Sequence, residues 1–186
     1  GEAARRRAAA RRRRRASPPR SPPVLAAPLP PPPAGGRAAG AATPAPIDLH
    51  GLKATPPVSF SLPESAGLDA LRVVHPADAK AGGEKLSLTA VAFPKDSGMT
   101  DAELLDYVKT TFLATSAPGR PVERTLLGKK VKGQALEVKI PSPSFAEVYV
   151  ATKKSGDKVV LGFAFTQGFA NEAEAAIAAI AASLKE

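Results

Sequence analysis

A chain of 186 residues with a formal net charge of +9 has room for one ordinary domain and a tail, and the charge belongs to the tail. Residues 1–46 hold ten arginines against the single acid Glu2, while the 16 basic and 16 acidic residues that follow cancel, so the part able to fold has no net charge to draw it to a nucleic acid. The lack of cysteine excludes disulfides, thiolate metal sites, a cysteine nucleophile and a cysteine-borne lipid anchor in the chain as written; two histidines cannot build a metal centre without carboxylates; and no apolar run approaches the roughly 18 residues of a membrane span.

Residues 1–46 are almost entirely Arg, Ala, Pro and Gly and contain eleven of the 20 prolines. Proline removes the amide donor that helices and ladders need, so this leader is expected to be disordered, with polyproline character around Pro28 to Pro33. Three origins fit it: an organellar transit peptide, a solvated basic arm touching anionic surfaces, or translation from a start set upstream of the true one. No secretory signal is legible, because Val24-Leu-Ala-Ala-Pro-Leu is too short and proline-broken for an apolar core.

From Ile47 the composition turns globular. Val58, Phe60 and Leu62 alternate and predict a first strand, which Pro56-Pro57 confine to an edge. Leu71 to His75 predicts a second, closed by Pro76. After a loop over residues 77–84, Lys85 to Phe93 becomes apolar on both faces and predicts a central strand. Thr100 with Glu103 is a capping box, and Leu104, Leu105, Val108 and Phe112 form the stripe of an amphipathic helix ended by Pro118, Gly119 and Pro121. Glu123 to Val131 and Gln134 to Ile140 predict two strands reversing at Lys132-Gly133, since Leu127 and Val131 are odd-numbered and Leu136, Val138 and Ile140 even. Pro141 to Pro143 separate them from a hairpin, Phe145 to Lys153 and Lys158 to Thr166, that turns on Ser155-Gly156-Asp157. There Val159, Leu161, Phe163 and Phe165 share one face. A last helix follows, with Asn171 as expected cap, Glu174 reaching back to it, and Ile177, Ile180 and Leu184 as its apolar stripe. Residues 47–186 are thus predicted to form an α+β domain, an antiparallel sheet of about six strands sandwiched between helices.

Chemistry is sparse. There is no Gly-x-Ser-x-Gly elbow, and no histidine follows His75 to serve one. Gly128-Lys-Lys lacks the glycine and hydroxyl of a phosphate loop. His75 reads as a strand-end residue, with a ligand or acid–base role as the alternative, and Met99, Phe163 and Phe165 read as core. No catalytic, cofactor or metal site is predicted. One surface feature is not random: Lys129, Lys130, Lys132, Lys139, Lys153, Lys154 and Lys158 crowd the two hairpins against only Glu137, Glu147 and Asp157. They predict either a docking patch for an acidic partner or anionic surface, or a lysine-guarded sheet edge.

Lys132-Gly-Gln-Ala-Leu-Glu-Val, the hairpin from Glu147-Val-Tyr-Val to Gly156-Asp-Lys-Val-Val-Leu-Gly-Phe, and the final Ile-Ala-Ala-Ser-Leu together resemble the PsbP-like superfamily. That superfamily includes a lumenal photosystem subunit, a nuclear-import factor that binds a small GTPase, and DcrB-type periplasmic lipoproteins. The resemblance implies an antiparallel sheet between helices and a non-enzymatic accessory or assembly protein that docks on a larger envelope or membrane-associated complex. The bacterial periplasm or an organellar lumen would be its setting and an unidentified protein its partner, with no cofactor. The alternative is a small-molecule or lipid carrier with a cleft between sheet and helix. The chain departs from the family in lacking the anchoring cysteine of the lipoproteins and an apolar thylakoid-transfer segment in residues 16–46, and no functional residue carries over.

Overall fold

The computed structural model describes residues 44–76, 85–138 and 144–186. The predicted disordered leader up to residue 43, the loop over 77–84, Lys139 and the Pro141 to Pro143 break lie outside them. The fold is α+β. Among the described residues there are nine strands, β1 (Ile47–Leu49), β2 (Leu52–Ala54), β3 (Glu64–Gly67), β4 (Ala70–Val74), β5 (Leu86–Phe93), β6 (Arg120–Leu126), β7 (Lys129–Val138), β8 (Ser144–Thr152) and β9 (Lys158–Thr166). Two α-helices, α1 (Asp101–Phe112) and α2 (Ala170–Ser183), accompany them there.

Strands β3 to β9 form one sheet in the order β3-β4-β5-β9-β8-β7-β6, every neighbouring pair antiparallel. The chain walks inward from β3 to β5, crosses through α1 to the far edge at β6, and returns strand by strand until β9 closes against β5 from Leu86↔Phe165 to Phe93↔Lys158. The sheet thus has seven strands where about six were expected, and β1 and β2 make a separate hairpin. Their three residues apiece are too few to show a period.

Strand alternation supplies two cores. On one face Val159, Leu161 and Phe163 of β9, with Leu86 and Leu88 of β5 and Tyr149 of β8, pack beneath Ala173, Ile177 and Ile180 of α2 and the β1–β2 hairpin. On the other, Val160, Val148 and Val150 meet Leu104, Leu105 and Val108 of α1. Each helix therefore covers one sheet face, and the odd and even residues of β9 are buried against different partners. His75 follows β4 as expected and stands edge-on to Phe60 and Phe169, ring centroids 5.3 and 5.0 Å away.

Three local expectations are corrected. Val58 and Leu62 are exposed and belong to no strand; of that stretch only Phe60 is buried. The reversal lies at Leu127-Gly128, where φ is +51° and +73°, and not at Lys132-Gly133, which sit inside β7 opposite Glu123 and Val122. The change of parity along β7 arises because Val131 near its start packs on the α2 side while Leu136 and Val138 near its end pack on the α1 side. Gly133 is there for close approach: a Cβ would lie 2.4 Å from Cδ1 of Tyr149. Finally, α2 begins at Ala170 with Phe169 at its N-cap and no side-chain cap bond. Glu174, expected to reach back to Asn171, instead bonds Arg124.

Candidate functional site

One end of the sheet collects the lysines. The β6–β7 turn at Leu127-Gly128 delivers Lys129 and Lys130 to the start of β7. The β8–β9 turn is closed by the Lys153 amide donating to the Asp157 carbonyl at 2.8 Å and the Gly156 amide to the Lys153 carbonyl at 3.0 Å. The Asp157 carboxylate accepts from the Ser155 hydroxyl and the Lys95 amide, and these bonds hold its pKa below the ordinary carboxylate value. Beyond α2 the chain passes Leu184 and pairs Lys185 directly with Lys53 of β2 through two backbone bonds of 2.7 and 2.9 Å.

Around this end lies a cleft of about 320 Å³ lined by Lys129, Lys153, Lys154 and Lys185, with Leu127, Leu184, Thr152 and Glu186 between them. The one acidic side chain among the described residues of its lining, Glu186, accepts the Lys154 amide at 2.6 Å. A second cleft of about 540 Å³ opens toward α1, with Lys129, Lys130, Lys132, Asp101, Leu105, Val150 and Gln134 in its lining.

Of the predicted patch, the structure brings Lys129, Lys153 and Lys154 around one cleft and Lys129, Lys130 and Lys132 around the other. Lys130 has a partner in Glu123 at 3.3 Å. Lys158 does not join them: its ammonium contacts the Asp101 carboxylate at 2.6 Å and the Met99 carbonyl at 3.3 Å, tying the start of α1 to β9. Lys139 is outside the described residues. Sequence reasoning missed Lys185 and Lys53, each far from the hairpins in sequence and brought in by a bridge that has no periodic signal.

It also missed a cluster on the α2 side. The Arg124 guanidinium donates to Glu147 at 2.9 Å, to both oxygens of Glu174 at 3.1 and 2.9 Å, and to the Tyr149 hydroxyl at 3.3 Å. The Tyr149 hydroxyl donates to Glu147 at 2.6 Å. Burial alone would lower the Arg124 pKa, but bonds to Glu174, Tyr149 and Glu147 override it and push the value up. Burial and the Glu147 bond push Tyr149 up to about 12. Three charges share one set of hydrogen bonds and tie the first turns of α2 to β6 and β8, so we assign this cluster to structure. Among the described residues no group of three or more His, Asp or Glu side chains could hold a metal ion. What the lysine end can do chemically is present ammonium donors to carboxylates or other anions.

No family model matches the chain, and no curated protein matches it. Among solved structures it is similar to a protein from Bacteroides thetaiotaomicron VPI-5482, at 13% identity and a TM-score of 0.44, over 72% of this chain and 44% of that one. The chain thus spans less than half the length of that protein.

Proposed function

We propose that the folded domain is a non-enzymatic docking module, an accessory or assembly protein attached through its lysine-bearing end to an acidic surface of a larger envelope or membrane-associated complex. This is the role that the PsbP-like resemblance implies. The observation that carries the reading is where the lysines lie. A lysine that guards against edge pairing must stand on an edge strand; the edges of the seven-stranded sheet are β3 and β6, neither contains a lysine, and Lys129, Lys130 and Lys132 of that sheet stand on β7, between β6 and β8.

Lys53 and Lys185 stand directly opposed, an arrangement that costs stability between like charges, with Asp48 of β1 as the neighbouring offset. Each such repulsion is only about 0.7 kcal/mol at ~6 Å in water. Summed over the cluster it becomes a matching attraction when carboxylates arrive, and such complementarity sets the encounter rate and the choice of partner. The carrier alternative wants an apolar chamber between sheet and helix: on the α2 side Tyr149, Phe163, Ile177 and Ile180 fill that space, and on the α1 side the cleft beside Leu105 and Val150 is bordered by Lys129, Lys130 and Lys132.

The test is photo-crosslinking of the full chain in its native host from position 154, with exposed Gln167 at the other end of β9 as control. One adduct of defined mass from position 154, absent in Lys129→Glu/Lys153→Glu and absent from position 167, is the expected result. Equal labelling from both positions, or an adduct that survives charge reversal, would sink the proposal.

A further inference from the structure

Resting on that docking reading, we infer that the lysine end is a track for an extended acidic polypeptide segment carrying an aliphatic residue, rather than a flat patch for the face of a folded protein. The two clefts share Leu127, Lys129 and Thr152, so they are one lining continued around the end of β6–β7 and β8. Beyond the shared residues they part. One runs to the α2 side with Lys153, Lys154 and Lys185, the other to the α1 side with Lys130 and Lys132.

A folded surface reaches one side of a sheet end, whereas an extended chain can bend around it. The stretch from Lys129 to Lys132 alone spans roughly 10 Å at ~3.3 Å per residue, and crossing to the other face adds about as much. The track thus matches some six to eight extended residues and is far longer than a single phosphate.

The lining also selects the chemistry. Its acidic side chains are already engaged, Asp101 by Lys158 and Glu186 by the Lys154 amide, and of its six lysines Lys130 alone has an ion pair among the described residues. Among the described residues neither cleft has an aromatic side chain in its lining, so these residues offer no platform on which nucleic-acid bases would stack. The chain's own leader has the wrong sign of charge to be the occupant. At the junction sits Leu127, held at φ +51°. That angle is what a two-residue hairpin turn requires of both its central residues, and it fixes Leu127 at the point where the two clefts meet. Leu127 with Leu184 on one side and Leu105 on the other gives an aliphatic side chain a floor.

The experiment uses the full chain and fluorescein-labelled 12-residue peptides: a Glu/Asp-rich segment with a central Leu, and its Gln/Asn counterpart. Carbodiimide coupling is read by mass spectrometry; residues 1–46 contain no lysine, so lysine adducts report the domain and not the leader. The expected result is a single acidic peptide coupled to lysines of both clefts. Lys132→Glu and Lys153→Glu should each weaken binding by about fivefold to tenfold, and Leu127→Asn, which suits the turn's positive φ, should weaken binding of the leucine-bearing peptide. Adducts confined to one cleft, or sensitivity to only one charge reversal, would overturn the track and leave the docking reading standing, as would loss of peptide binding while the position-154 crosslink persists. Failure of both experiments would remove both. Tighter, equally lysine-dependent binding of anionic vesicles or a short nucleic acid would replace the polypeptide as occupant.

Discussion

Phe163 shows what a single position decides in a sheet covered on both sides. Its ring is fully buried beneath α2, and Tyr149 stands edge-on 6.4 Å away. Phe163→Ala should therefore cost about 3–5 kcal/mol, read from denaturant melts, and an effect below about 1 kcal/mol would mean the ring is not in the core. Gly133 makes the opposite case, in which adding one carbon is harmful. Its Cβ would meet Val148 backbone oxygen and the Tyr149 ring, both at 2.4 Å, and backbone cannot give way cheaply. Gly133→Ala should destabilise by about 1–3 kcal/mol through overpacking; a neutral result in the same melts would refute the close approach. In sequence this glycine looks like a turn, because a break in parity and a glycine coincide there. The close approach depends on Tyr149, whose position over β7 follows only from strand pairing.

At the scale of elements, the two helices test what starts a helix. Thr100 accepts from the Glu103 amide while the Glu103 carboxylate accepts from Thr100, which also lowers the Glu103 pKa, so α1 is capped by local chemistry. Helix α2 carries the same sequence signal at Asn171 and does not use it. Thr100→Ala should then cost about 1 kcal/mol, and Asn171→Ala less than about 0.5 kcal/mol; thermal melts in which Asn171→Ala is the costlier change would contradict the observed start of α2. The contrast marks how far the sequence could be read. Central strands β5, β8 and β9 and the capped helix were legible because eight or more residues of period, or a cap with its reciprocal acid, outvote noise. The β1–β2 hairpin was not, because strands of three residues carry no period, and neither was β3, whose Glu-Ser-Ala-Gly is exposed throughout. Glu174 was misassigned because its partner, Arg124, is fifty residues upstream in the chain and a local rule was at hand. The same limit applies to the site: Lys129, Lys153 and Lys154 announced themselves as a local excess, while Lys185 joins through a bridge that only the fold creates.

At the scale of the molecule, α2 is joined to the sheet by apolar packing and by the Arg124 cluster, and the cluster makes that attachment depend on pH. The Tyr149 hydroxyl donates its proton to Glu147; ionising it would remove the donor and set a phenolate against a carboxylate, leaving Arg124 as the only opposing attraction. That balance, with burial as the largest cause, raises its pKa from the ordinary value near 10 to about 12. A raised folded-state pKa means that stabilisation from this group is complete below the unfolded value and is lost as pH climbs through the folded one. The window is therefore alkaline, from about pH 10 to about pH 12. Tyr149→Phe keeps the ring and removes the titration, so at pH 7 wild type should be the more stable, by the roughly 1.5–3 kcal/mol of a hydrogen bond to a charged group. That advantage should shrink steadily above pH 10 in urea melts of the two proteins compared at each pH. A difference unchanged across the window, or one that grows, would show that the hydroxyl's proton does not hold Glu147 in place, and the tie between α2 and the sheet would then rest on Arg124 and apolar packing.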